Sequence, residues 1–176
     1  DGNYPTGTQN VALGDQALDA LTTGANNTGI GHIALSANTE GVRNVALGGF
    51  SLNTNTTGND NVGIGTGSAR GALHSNTTGS NNVAVGANAL GNNTTASNNT
   101  AVGLSTLYEN TTGTGNSALG YSALYSNTTG SNNVSVGTNA LDNNTTADSN
   151  TAVGHQSLGA NTTGALNTAV GATSMD

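Results

Sequence analysis

One short word recurs along this chain and limits what it can fold into. It combines a small residue, a large aliphatic and a glycine, as in VALG at Val11–Gly14, TGIG at Thr28–Gly31, VALG at Val45–Gly48 and VGIG at Val62–Gly65, and it returns to the last coil. The closing glycines are Gly14, Gly31, Gly48, Gly65, Gly86, Gly103, Gly120, Gly137, Gly154 and Gly171, whose positions differ by 17 at every step except the step of 21 from Gly65 to Gly86. A fixed short period marks stacked repeats, each packing on its neighbours, in place of one globular core. The chain, residues 1–176, is expected to be a single solenoid domain of ten 17-residue coils with a four-residue insertion within 66–71.

Aligned on the glycine, the columns separate by chemistry. Just before it stands a large aliphatic: Leu13, Ile30, Leu47, Ile64, Val85, Val102, Leu119, Val136, Val153 and Val170. Two before it the residue is always small. Four after it come Leu18, Leu35, Leu52, Leu73, Leu90, Leu107, Leu124, Leu141 and Leu158, then Met175, each again preceded by a small residue such as Ala17, Ala89 or Ala140. Further on lies an Asn-Thr-Thr-Gly word, as at Asn55–Gly58, Asn76–Gly79, Asn110–Gly113, Asn127–Gly130 and Asn161–Gly164. Alternation of small and large has the period of a strand, and glycine with Asn-Thr supplies turns. Each coil therefore reads as strand, turn, short strand, turn. The fold class is all-β, a parallel β-solenoid whose core is the two large-aliphatic columns. Stacked at roughly 4.8 Å per coil, ten coils make a rod of about 48 Å in which equivalent Asn and Thr side chains form ladders.

Composition excludes several classes. Aromatics are 3% and charged residues 6% of the chain, with 27 glycines, which is far from globular usage. Charge is too sparse for the usual disordered class, so order must come from repetition. Without cysteine there is no disulfide framework and no thiolate metal site. No run of apolar residues reaches the length of a membrane span and no leader pattern opens the chain, so no direct membrane insertion is expected. Two basic residues against nine acidic ones, a net charge of −7, argue against nucleic acid.

Two large aliphatics per coil bury little apolar surface against the entropy of ordering the whole coil, so a lone thin solenoid looks marginal. The small column, Ala12, Ala46, Ala84, Ala101, Ala118, Ala152 and Ala169, is expected to point away from the interior and let another backbone come close. It reads as a contact surface between chains, most simply around a threefold axis.

The words Asn82-Val83-Ala84-Val85-Gly86, Asn99-Thr100-Ala101-Val102-Gly103 and Asn150-Thr151-Ala152-Val153-Gly154, each followed by a small residue and leucine, resemble the YadA-like head repeat of trimeric autotransporter adhesins. Similar repeats occur in bacteriophage tail fibres. The resemblance covers essentially the whole chain. It implies a left-handed parallel β-roll, a homotrimeric fibre and attachment to a host surface, with an extracellular, cell-surface or virion location. The repeat here departs from the family's by being longer, with an additional Asn-Thr-Thr-Gly word. The partial coil at Ala172–Asp176 and the lack of atypical capping units suggest a segment of a longer fibre.

Columns that vary within the chain mark the solvent face: Asp15, His32, Gly49, Leu104, Tyr121 and His155 one after the glycine, and Asp19, Asn53, Tyr108, Tyr125 and Asp142 five after it. Tyr108, Tyr121 and Tyr125 are the only aromatic cluster and the candidate contact for a host-surface glycan or protein. The same residues also suit an aromatic ladder that stiffens the rod. Arg70, in the insertion, is a second candidate for surface binding, because loops on rigid scaffolds often carry function. His32 and His155 share a column but lie about 34 Å apart in the stack, so they cannot share an ion. No carboxylate pair, calcium loop or usable glycine-rich phosphate loop is evident, Gly63–Gly67 being part of the repeat. No cofactor, metal or catalysis is expected. The reading is a structural or adhesive fibre segment. The alternative is a monomeric ice-binding β-solenoid, which would need a regular array of outward threonines; that column is interrupted by Glu40.

Overall fold

The computed structural model describes residues 6–67 and 70–175; positions 68–69 of the expected insertion, and Asp176 of the last partial coil, lie outside them, as do residues 1–5. The chain is a parallel β-solenoid. Among the described residues ten three-residue strands, β1 (Val11–Leu13), β2 (Thr28–Ile30), β3 (Val45–Leu47), β4 (Val62–Ile64), β5 (Val83–Val85), β6 (Thr100–Val102), β7 (Ser117–Leu119), β8 (Val134–Val136), β9 (Thr151–Val153) and β10 (Thr168–Val170), form one sheet in chain order. Register follows the period: Ala101 pairs with Ala118 and Ala118 with Ser135, each exactly one repeat further along the chain. Across the insertion Val62 pairs with Val83, so the stack continues in register past it. Thr66 and Arg70 are exposed, and by Gly71–Leu73 the chain is buried again.

The glycine after each strand is required where it stands. At Gly120 φ is +136°, and a Cβ there would lie 2.6 Å from the carbonyl oxygen of Gly137 in the next coil. The backbone turns because a residue without a side chain lets successive coils approach this closely.

The structure corrects two expectations. Among the described residues the coil has no second strand: the leucine four after the glycine sits in the left-handed region, with φ of +51° at Leu90 and +54° at Leu107. Its N–H donates up the stack, Leu107 N to the carbonyl of Ala123 at 3.0 Å. That turn aims both the leucine and the preceding alanine inward, so Ala89 and Leu90 are buried together where a strand would have placed them on opposite faces.

The second correction concerns the faces of the strand. The leucine columns from Leu18 to Leu158 are core, as expected. The other column, Leu13, Ile30, Leu47, Ile64, Val85, Val102, Leu119, Val136, Val153 and Val170, lies on the outer face of the sheet, with Leu119 50% and Leu13 65% exposed. The small residues face inward instead: Ala46, Ala84, Ala101 and Ala152 are fully buried, and Ala118 and Ala169 nearly so. They are not a surface on which a second backbone can lie, and Ala12 is exposed only in the first strand. The reason is the thinness of the interior. A leucine from the turn wall reaches the opposite strand, and a Cβ on Gly29 would meet Leu18 Cγ at 3.3 Å while one on Gly63 would meet Leu52 Cγ at 3.3 Å. Only Gly, Ala or Ser fits between. Ala101→Leu is therefore expected to overpack the coil and cost about 1–3 kcal/mol, read as a lower midpoint in denaturant unfolding; an unchanged midpoint would return the alanine stripe to the outside.

Two asparagine ladders close the remaining walls. In the column just before each strand, Asn44 N donates to Asn27 Oδ1 at 2.9 Å and Asn44 Nδ2 to the Gly58 carbonyl at 2.8 Å. At the start of each Asn-Thr-Thr word, Asn110 Nδ2 donates to Asn93 Oδ1 at 2.9 Å and to its own turn's Gly113 carbonyl at 3.0 Å. Among the described residues no buried side-chain nitrogen or oxygen lacks a partner, as the cost of burying polar groups demands.

Candidate functional site

Outward-facing columns decide what the rod can present. In each Asn-Thr-Thr word the first threonine turns along the stack, Thr111 Oγ1 donating to the Thr128 carbonyl at 3.1 Å, while the second, as at Thr112 and Thr129, is exposed. The outward threonines are thus a single file, broken at Glu40, which is exposed in the same column. His32 is edge-on to Phe50, ring centroids 5.3 Å apart, and 3.7 Å from Asp15 across one coil. Among the described residues no three His, Cys, Asp or Glu side chains are grouped to hold a metal ion.

The four residues singled out for surface binding converge. Tyr108 and Tyr125, one coil apart, stack with ring centroids 5.4 Å apart and planes 23° from parallel. Gly91, one coil before Tyr108 in that column, makes the stack possible: a Cβ there would fall 2.7 Å from Tyr108 Cε2. Arg70 reaches across two coils from the insertion and donates to Tyr108 Oη at 2.7 Å and to Asn92 Oδ1 at 3.1 Å. Burial, together with the same guanidinium, holds His74 below the ordinary histidine range. Arg43, by contrast, is engaged by Asp60 one coil on, at 2.6 and 2.8 Å.

Beside the stack lies an open groove of about 480 Å³ lined by Ser105, Tyr121, Ser122, Tyr125, Ser126, Asn139, Asp142 and Asn143. Tyr121 forms one side and is 54% exposed. Burial and the Glu109 carboxylate raise the Tyr125 phenol above its ordinary range, so it remains a neutral donor and acceptor. Asn143 Nδ2 donates to Asp142 Oδ1 at 3.3 Å and to the Gly159 carbonyl at 2.7 Å. The sequence reading placed Asp142 on the solvent face in the column of Tyr108 and Tyr125 but missed the serines and asparagines of the groove, although the period contained the signal. Ser105, Ser122 and Asn139 occupy one column on three successive coils, and Ser126 and Asn143 another.

The outer face of the sheet is a second surface, of different chemistry. Its two columns carry Val, Thr, Ser, Ile and Leu without a single charge. A shallow depression of about 180 Å³ among Thr100, Val102, Ser117, Ala118, Leu119 and Val136 is almost wholly apolar. Comparison with protein-family models, curated proteins and solved structures finds no match to this chain.

Proposed function

We propose that the chain is a structural segment of a homo-oligomeric fibre, most simply a trimer, that positions attachment to a host surface, as the likeness to adhesin head and tail-fibre repeats implies. The observation that carries this reading is the uncharged apolar stripe on the outer face of the sheet. It includes Leu47, Leu119, Val134 and Val170, all solvent-exposed in the single chain, repeated on every coil. A contiguous exposed apolar stripe marks a contact surface. A second copy is the occupant argued for, because only a partner with the same spacing between coils meets every Val, Ile and Leu in the same way along the whole sheet. The absence of charge removes the cost of bringing like faces together. The expected inter-chain contact thus moves from the alanine column to its large-aliphatic neighbour.

Sedimentation equilibrium tests this. The chain is expected at three times its 17.1 kDa. Val102→Glu with Leu119→Glu, which places charge on adjacent strands of the stripe, is expected to return it to one chain's mass with its β circular dichroism retained. A wild-type chain that stays at single mass in the micromolar range would remove the oligomeric reading.

A further inference from the structure

We propose that the groove between Tyr121 and Asp142 is a binding site for a neutral oligosaccharide lying along the rod. The inference rests on the attachment role above and supplies its ligand class. The shape suits an elongated ligand: the lining comes from three successive coils, Ser105 in the first, Tyr121, Ser122, Tyr125 and Ser126 in the second, and Asn139, Asp142 and Asn143 in the third. At about 480 Å³ it falls within the usual range of ligand sites. Its chemistry is that of a sugar receptor. A half-exposed tyrosine ring offers a flat apolar face to the C–H side of a pyranose, while the Asn139 amide, the Asn143 amide oxygen, the Asp142 carboxylate and three serine hydroxyls provide donors and acceptors at several angles for ring hydroxyls. Charge narrows the class. Asp142 in the groove, Glu109 beside Tyr125 and a net charge of −7 oppose sialylated, sulfated or phosphorylated glycans.

The insertion acquires a role in this arrangement. Arg70 holds the Tyr108 hydroxyl, Tyr108 stacks on Tyr125, and Tyr125 is a wall of the groove. Arg70 is thus a positioning residue acting through two rings, and the one break in the 17-residue period lies where it fixes the aromatic wall in advance of binding. A ladder that only stiffened the rod would account for Tyr108 and Tyr125 but leaves half-exposed Tyr121 without a task.

The test is saturation-transfer NMR on the full chain with maltotriose, mannotriose, triacetylchitotriose and, as the acidic comparison, sialyllactose. At least one neutral trisaccharide is expected to bind. Tyr121→Ala is expected to weaken it about tenfold or more, as loss of a central aromatic anchor does, and Arg70→Ala about threefold through lost preorganisation. Both variants should keep the wild-type mass and unfolding midpoint. Binding by none of the neutral sugars, binding by sialyllactose alone, or equal affinity in Tyr121→Ala would overturn the proposal. Sedimentation of the same samples separates the two readings: three chains without sugar binding removes the groove alone, and sugar binding by a single chain removes the fibre alone.

Discussion

Asn116→Ala is expected to lower the thermal midpoint of the rod by about 2–12 °C, at the 2–4 °C per kcal/mol usual for a chain of this size. Asn116 is fully buried and its side chain serves two backbone groups of the next coil. Its Oδ1 accepts from Asn133 N at 3.0 Å, and its Nδ2 donates to the Gly130 carbonyl at 2.8 Å. Alanine fills neither role. The Gly130 carbonyl keeps its second donor, Asn127 Nδ2 at 2.9 Å, but the buried Asn133 N–H is left without its partner, at about 1–3 kcal/mol. On the other side the bond to Asn99 Oδ1 is donated by the backbone N–H of residue 116, which alanine keeps, so the damage is confined to the coil above. Differential scanning calorimetry is the measurement; a midpoint within a degree of wild type would mean that the ladder is ornamental.

Leu52→Ala is expected to cost about 2–5 kcal/mol, toward the upper end for a buried leucine. Leu52 is fully buried and lies against Gly63, which has no side chain to relax into the space vacated. The cavity therefore stays open. Leu104→Ala, on a residue 47% exposed one position after its glycine, should stay within about 0.5 kcal/mol. Guanidinium unfolding of the two variants side by side reads the difference, and comparable losses would show that the turn-wall leucines are not the core.

The fold was legible because periodicity survives any uncertainty about local conformation. Equivalent glycines one period apart had to be neighbours in a stack, whatever path the coil took between them. Facing was not legible for a related reason. Alternation of small and large in Val83-Ala84-Val85 tells that the two sets point to opposite sides, but not which side is interior, and the habit of placing the larger residue inside fails when the interior is one leucine deep. The burial of Ala89 together with Leu90 was likewise hidden, because left-handed φ at a leucine runs against its own preference and is imposed by hydrogen bonding to the coil above. The candidate site was legible in its aromatic members, which are rare enough to notice. Its serines and asparagines vanished among the many serving as turns and ladders, and the reach of Arg70 to Tyr108 depends on the path of a loop that no period describes.

The constant register has a kinetic consequence. Every strand pairing closes a loop one repeat long, and the longer loop between β4 and β5 adds only about 0.2 kcal/mol of closure entropy. Assembly should then proceed like a zipper, with a nucleus of two adjoining rungs and a rate nearly indifferent to rod length. Amide exchange would be quickest in the outermost rungs and slowest in the middle, a gradient rather than a single cooperative block.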